Sequence, residues 1–183
     1  MIRKLSYEEI QRHRPDPQES LAKARRPISV ILDNIRSLHN VGAIFRTSDG
    51  AFIEKLYLCG ITGVPPRNEI RKTSLGAEET VPWEYNSEAA NVIRQLRSRG
   101  YQIVALEHTD QSHHYRRAPL RFPLCLIIGH EYNGIQDHLV QMADLAIEIP
   151  MSGVKQSLNV SVAFGIAIYE IVDCWELNRG KDC

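Results

Sequence analysis

Apolar residues cluster in five short runs, at 28–33 (ISVILD), 55–60 (KLYLCG), 101–106 (YQIVAL), 123–129 (PLCLIIG) and 145–150 (LAIEIP). Each is near-continuous, without polar alternation, which predicts strands buried on both faces. Between them the period lengthens. In 40–52 (NVGAIFRTSDGAF), Val41, Ile44, Phe45, Ser48 and Phe52 share one helical face, and in 87–100 Val92, Ile93 and Leu96 do so between Ser87, an expected N-cap, and Gly100, an expected stop. A last helix is expected from near Ser157, and 162–175 (VAFGIAIYEIVDCW) shows so little polar surface that burial all round is predicted. The stretches 62–74 (TGVPPRNEIRKTS) and 107–122 (EHTDQSHHYRRAPLRF) read as loops, and a short helix is expected after 130–135 (HEYNGI). Strands alternating with helices predict an α/β fold, a mostly parallel sheet with helices on both faces.

Ahead of this pattern, Ser6 and Glu9 form a capping-box pair that starts a short helix, which breaks at 14–18 (RPDPQ). A basic linker through Lys23, Arg25 and Arg26 follows, so residues 1–26 are expected to be an arm and 27–183 one domain.

Lys plus Arg number 22 and Asp plus Glu number 22, so no global field draws the chain to a polyanion, and any RNA binding needs local cations. Arg67, Arg71, Lys72, Arg116 and Arg117, in loop-like segments near strand ends, are the candidates. Cys59, Cys125, Cys174 and Cys183 form no C-x-x-C pair, and the first two fall in apolar runs where cysteine behaves as a small hydrophobe. With no signal-like leader and no run fit to span a bilayer, a cytoplasmic location is expected.

Several chemistries drop out. The chain has no G-x-G-x-x-G, no G-x-x-x-x-G-K-[ST] and no G-x-S-x-G, and no H-x-E with C-x-x-C. His108, His113 and His114 cluster without a second group at zinc-like spacing, so they read as a solvated loop and no metal is expected. Three polar clusters remain at the ends of apolar strands, where open α/β sheets bind ligands.

Those clusters, Asn40-x-Gly42-x-x-x-Arg46, Gly129-x-Glu131-x-x-Gly134, and 149–151 (IPM) with 157–161 (SLNVS), resemble motifs 1, 2 and 3 of the SpoU/TrmH family of RNA ribose 2′-O-methyltransferases, in the SPOUT superfamily. The stretch 71–83 (RKTSLGAEETVPW) also resembles the family, and the likeness runs from Pro27 to about Trp175. It implies a C-terminal trefoil knot holding S-adenosylmethionine, a homodimer sharing its active sites, and methyl transfer to a ribose 2′-hydroxyl of structured RNA, tRNA before ribosomal RNA. By family position, Leu106, Gly129, Gly134, Ile149, Met151, Ser157 and Leu158 would hold the cofactor, although Ile149 and Leu158 also suit an ordinary core.

The family assigns Arg46 to activation of the 2′-hydroxyl. A guanidinium stays protonated, so a fixed cation at the alkoxide and phosphate is the preferred role over a general base; an ion pair with Asp49 or Glu54 on the same helix is the ordinary alternative. Glu131 could face the sulfonium or fix its own loop. Asn40 and Asn159 could orient Arg46 or the ribose, or cap helices. Ser157 belongs with them as a catalytic candidate, and Ser161 could instead bond the carbonyl four residues back. A non-catalytic RNA-binding protein on this fold and a small-molecule α/β enzyme are the rival classes.

Overall fold

The computed structural model describes residues 2–12 and 23–179. The break expected at 14–18, and Cys183, lie outside these. The capping box forms as expected: the Ser6 N–H donates to Glu9 Oε2 (2.7 Å) and the Glu9 N–H to Ser6 Oγ (3.2 Å), starting helix α1 (Tyr7–Arg12), which buries no residue.

Among the described residues seven parallel strands follow: β1 (Arg26–Asp33), β2 (Ile53–Cys59), β3 (Trp83–Asn86), β4 (Gln102–Leu106), β5 (His113–His114), β6 (Leu124–Ile128) and β7 (Leu145–Glu148). Their spatial order is β3-β2-β1-β6-β4-β7-β5. All pairings are parallel, so every strand ends at the same edge of the sheet. The helices are α2 (Leu38–Ala51), α3 (Asn68–Ser74), α4 (Ala77–Thr80), α5 (Ala89–Ser98), α6 (Asp137–Val140) and α7 (Val160–Arg179).

The apolar runs are continuous because successive residues feed two cores. Ile28, Val30 and Leu32 of β1, with Leu124, Leu126 and Ile128 of β6, pack beneath α2 and α7. Ile31 of β1, Cys125 and Ile127 of β6, and Ile103 and Ala105 of β4 pack beneath α5 and α6. Burial pushes the Cys59 thiol up to about 12 and that of Cys125 up as well, so both behave as apolar side chains.

Several expectations are corrected. Arg25 and Arg26 are not in a free linker. Arg25 donates to the carbonyls of Ile53 (3.1 Å) and Thr80 (2.7 Å) and lies over Phe52, while Arg26 opens β1 and pairs with Glu176 at 2.8 Å. The stretch read as a loop at 62–74 contains α3. Glu88, not Ser87, occupies the N-cap of α5, and the last helix starts at Val160. That helix is also two-faced: Phe164, Ala167, Ile168, Ile171 and Val172 are buried, whereas Val162, Ile166 and Tyr169 stand exposed on the opposite side. Among the described residues, no helix is long and apolar enough to cross a membrane.

Candidate active site

The adjacent strands β6, β4 and β7 end side by side, and the three connections that leave them enclose a cleft of about 170 Å³. All seven residues proposed for the cofactor, Leu106, Gly129, Gly134, Ile149, Met151, Ser157 and Leu158, line it. Glu107, His130, Tyr132 and Glu148 line it too, unmarked by any sequence pattern, and so does His108, which the sequence had offered only as part of a solvated loop.

One wall is backbone by necessity. After Gly129 the chain turns back on itself, with the His130 N–H donating to the Gly134 carbonyl (3.0 Å) and the reverse bond at 2.9 Å. A Cβ on Gly129 would stand 2.3 Å from the Gly134 carbonyl carbon. Gly134 has φ +69°, and a Cβ there would meet Glu107 Oε2 at 2.2 Å. Glu107 braces this turn from below, accepting from the N–H groups of Ile135 and His108, both at 2.9 Å. His130 holds its tip, Nδ1 accepting from the Tyr132 N–H (3.0 Å) and the Asn133 N–H (3.3 Å). On the far rim, His108 Nδ1 lies 3.0 Å from Glu148 Oε2.

The three motif segments are joined by a polar chain centred on Glu131. Its carboxylate accepts from the N–H groups of Arg36 (3.0 Å) and Ser37 (2.9 Å) and from Asn40 Nδ2 (2.9 Å). Burial pushes this carboxyl up, and the three donors outweigh that, leaving it below the ordinary glutamate value. Asn40 Oδ1 accepts in turn from Asn159 Nδ2 at 3.1 Å. Glu131 thus fixes its loop against the start of α2, while Asn40 and Asn159 orient each other.

The helix-capping alternatives now separate. Ser37 is the N-cap of α2, its hydroxyl accepting from the Asn40 N–H, so Asn40 is not a cap. Asn159 starts α7, its carbonyl accepting from the N–H groups of Val162 and Ala163 and its Oδ1 from the Ser161 N–H (2.9 Å) and hydroxyl (2.6 Å). It therefore caps with one end of its amide and reaches Asn40 with the other. Ser161 bonds Asn159, not the carbonyl four residues back.

Arg46 lies exposed on α2, outside the cleft lining, with no ion-pair partner among the described residues. Neither expected carboxylate holds it: Asp49 accepts from the Thr80 hydroxyl (2.7 Å), and Glu54 sits on β2, beyond the end of the helix, where it takes the Tyr101 hydroxyl. Of the nominated RNA-binding cations, Arg71 and Lys72 stand on α3 with Arg67 at its N-cap, not in a loop. Arg116 is 3.5 Å from Glu170 of α7, and Arg117 is exposed. Among the described residues, no group of three potential ligands could hold a metal ion.

The profile of the SpoU rRNA Methylase family matches residues 27–169. The chain belongs to that family. Within this SpoU family, it is 35% identical over 153 residues to the tRNA (guanosine(18)-2'-O)-methyltransferase of Aquifex aeolicus, covering 84% of this chain and 72% of that one. It is equally 35% identical, over 157 residues, to the 23S rRNA (guanosine-2'-O-)-methyltransferase RlmB of Shewanella oneidensis, covering 86% of this chain but only 63% of the relative. Among solved structures, the A. aeolicus TrmH/SpoU tRNA modifying enzyme superposes with a TM-score of 0.79 at 33% identity, covering 90% of this chain and 82% of its own. The AdoMet-bound rRNA methyltransferase of Sinorhizobium meliloti gives 0.74 at 30% identity, covering 82% and 58%.

Proposed function

We propose that this SpoU-family chain transfers a methyl group to a ribose 2′-hydroxyl of structured RNA, a tRNA in preference to ribosomal RNA, with S-adenosylmethionine held in the cleft. The observation that carries this is the convergence of residues from Leu106 to Leu158 on one cleft whose lining includes three carboxylates, Glu107, Glu131 and Glu148, and, among the described residues, no lysine or arginine. That lining suits a cationic sulfonium, and the wall without side chains at Gly129 and Gly134 offers peptide groups to a nucleoside. The tRNA preference is supported by the higher TM-score with the A. aeolicus tRNA modifying enzyme, 0.79 against 0.74 for the S. meliloti rRNA methyltransferase.

S-adenosylmethionine, when bound, supplies an electrophilic methyl on sulfur, so no metal is called for. Arg46 supplies a fixed positive charge for the 2′-oxygen and the neighbouring phosphate as the hydroxyl proton passes to solvent water. Asn40 and Asn159, held by Glu131, keep the mouth of the cleft in register, and Ser157 adds a hydroxyl beside Leu158. Because Arg46 lies outside its own chain's cleft, we infer that it serves the cleft of a second copy. The exposed Val162, Ile166 and Tyr169 of α7 provide the apolar face for that homodimer. The knot that the family resemblance implies would be formed by the crossing from β7 to α7.

The test is calorimetric titration with S-adenosylmethionine in the presence of chelator, followed by mass spectrometry of nucleosides from tRNA incubated with the protein. Binding without metal and a new 2′-O-methylnucleoside are expected. Arg46→Ala should keep cofactor binding and lose about a hundredfold to a thousandfold in single-turnover rate. Failure to bind the cofactor would refute the reading.

A further inference from the structure

The tip of the turn between Gly129 and Gly134 carries, at the mouth of the cleft, a side chain that the fold does not use. Tyr132 is 92% exposed, yet it lines the cleft and, among the described residues, is the sole phenylalanine, tyrosine or tryptophan that does. An aromatic ring left in water contributes nothing to folding, and on most surfaces that would end the matter. Here the backbone beneath it is fixed from three directions. The His130–Gly134 pairing closes the turn, His130 Nδ1 accepts from the Tyr132 N–H itself, and the neighbouring Glu131 carboxylate ties the turn to Arg36 and Ser37. The ring is thus presented on a rigid mount at the cleft mouth, with two rotatable bonds left to order.

The segment that meets this turn carries a cation. The Arg36 N–H donates to Glu131, one residue from Tyr132, and Arg36 is exposed with no ion-pair partner among the described residues. An exposed aromatic ring at the cleft mouth, and an exposed arginine on the segment tied to the same turn, suit a single nucleotide with its base on the ring and its phosphate on the cation.

We propose that Tyr132 and Arg36 form a nucleotide subsite at the cleft mouth, where an unstacked base of the RNA substrate lies on the Tyr132 ring and its phosphate meets Arg36. The subsite rests on the RNA-methylating reading above and adds to it the group that presents the substrate base. It also explains how a chain with 22 basic and 22 acidic residues grips RNA, because stacking needs no net charge.

The experiment measures methyl transfer to total tRNA from a strain lacking this protein, alongside calorimetric titration with S-adenosylmethionine, for wild type, Tyr132→Ala, Tyr132→Phe and Arg36→Ala. Tyr132→Ala should raise the RNA KM about tenfold or more and leave cofactor affinity unchanged. Tyr132→Phe, which keeps the ring, should restore the KM. Arg36→Ala should weaken RNA binding and reduce the salt slope of log K by about one. An active wild type whose RNA KM is indifferent to Tyr132→Ala overturns the subsite alone, as does a loss of cofactor affinity in its place, which would make the ring a lid on the cofactor. A wild type that transfers no methyl group takes down the wider reading with it.

Discussion

Two carboxylates tie the turn after β6 to the end of β1, and their surroundings drive them in opposite directions. Asp33, the last residue of β1, is 1% exposed; it accepts from Gln136 Nε2 (3.0 Å) and Asn34 Nδ2 (2.9 Å). Burial dominates there and holds its carboxyl above the ordinary aspartate value, with the Gln136 bonds only partly offsetting it. Glu131 sits at the exposed mouth, and its three donors hold it below the ordinary glutamate value. The lesson is that donors to a carboxylate decide its charge only where water still reaches it; deep in the sheet edge, desolvation wins. One clamp is a fixed anion, and the other is bought at a cost in charge burial.

The sharpest way to break the contrast is Glu131→Ala, which strips the acceptor from two backbone N–H groups and the Asn40 amide. A loss of about 2 kcal/mol is expected, read as a Tm lower by roughly 4–8 °C in thermal unfolding, together with weaker cofactor binding as the turn loosens. An unchanged Tm would mean that water replaces the clamp at no cost.

Glu131→Gln keeps one acceptor oxygen and should cost about 1 kcal/mol at neutral pH. Its acid behaviour is more telling. The stability that Glu131 contributes is present above the unfolded value of 4.5 and lost as pH falls through its lower folded value, so the gap between wild type and variant should close on acidification. Urea unfolding at pH 7 and pH 4 measures this, and a gap that widens contradicts the assignment.

The smallest effect is expected from Asp33→Asn, within about 1 kcal/mol at pH 7, because a lost hydrogen bond and a relieved burial penalty oppose each other. The sign with pH is reversed. In the wild type the penalty operates above the raised folded pKa and is relieved as pH falls through it towards 3.8, so the variant should lose ground to wild type in acid. The same urea series checks it, and parallel curves would show that Asp33 titrates as it does in the unfolded chain.

Reading the sequence for buried strands located β1, β2, β4, β6 and β7, since each feeds both cores and has no polar alternation to confuse it. It missed β3 and β5. Those are the sheet's two outermost strands, and Trp83–Asn86 and His113–His114 face solvent enough to keep polar residues. The helix α3 was hidden by Pro65 and Pro66, which do mark a turn but stop just short of Asn68. For the site, motif resemblance located Glu131, Asn40 and Asn159 but left their roles open, because hydrogen-bond partners 91 and 119 residues apart have no local trace. Glu107, His130, Tyr132 and Glu148 were invisible, and His108 read as solvated loop, for a related reason. They meet only because β6, β4 and β7 are neighbours in space and not in sequence.

That strand order also governs how the protein can be made. β6 lies between β1 and β4 and pairs with both, yet residues 124–128 leave the ribosome after five other strands. Until they do, β3, β2 and β1 end in an open apolar edge, and β4 has no place to dock. The sheet therefore closes late, by inserting its middle, and folding waits on contacts that span nearly a hundred residues.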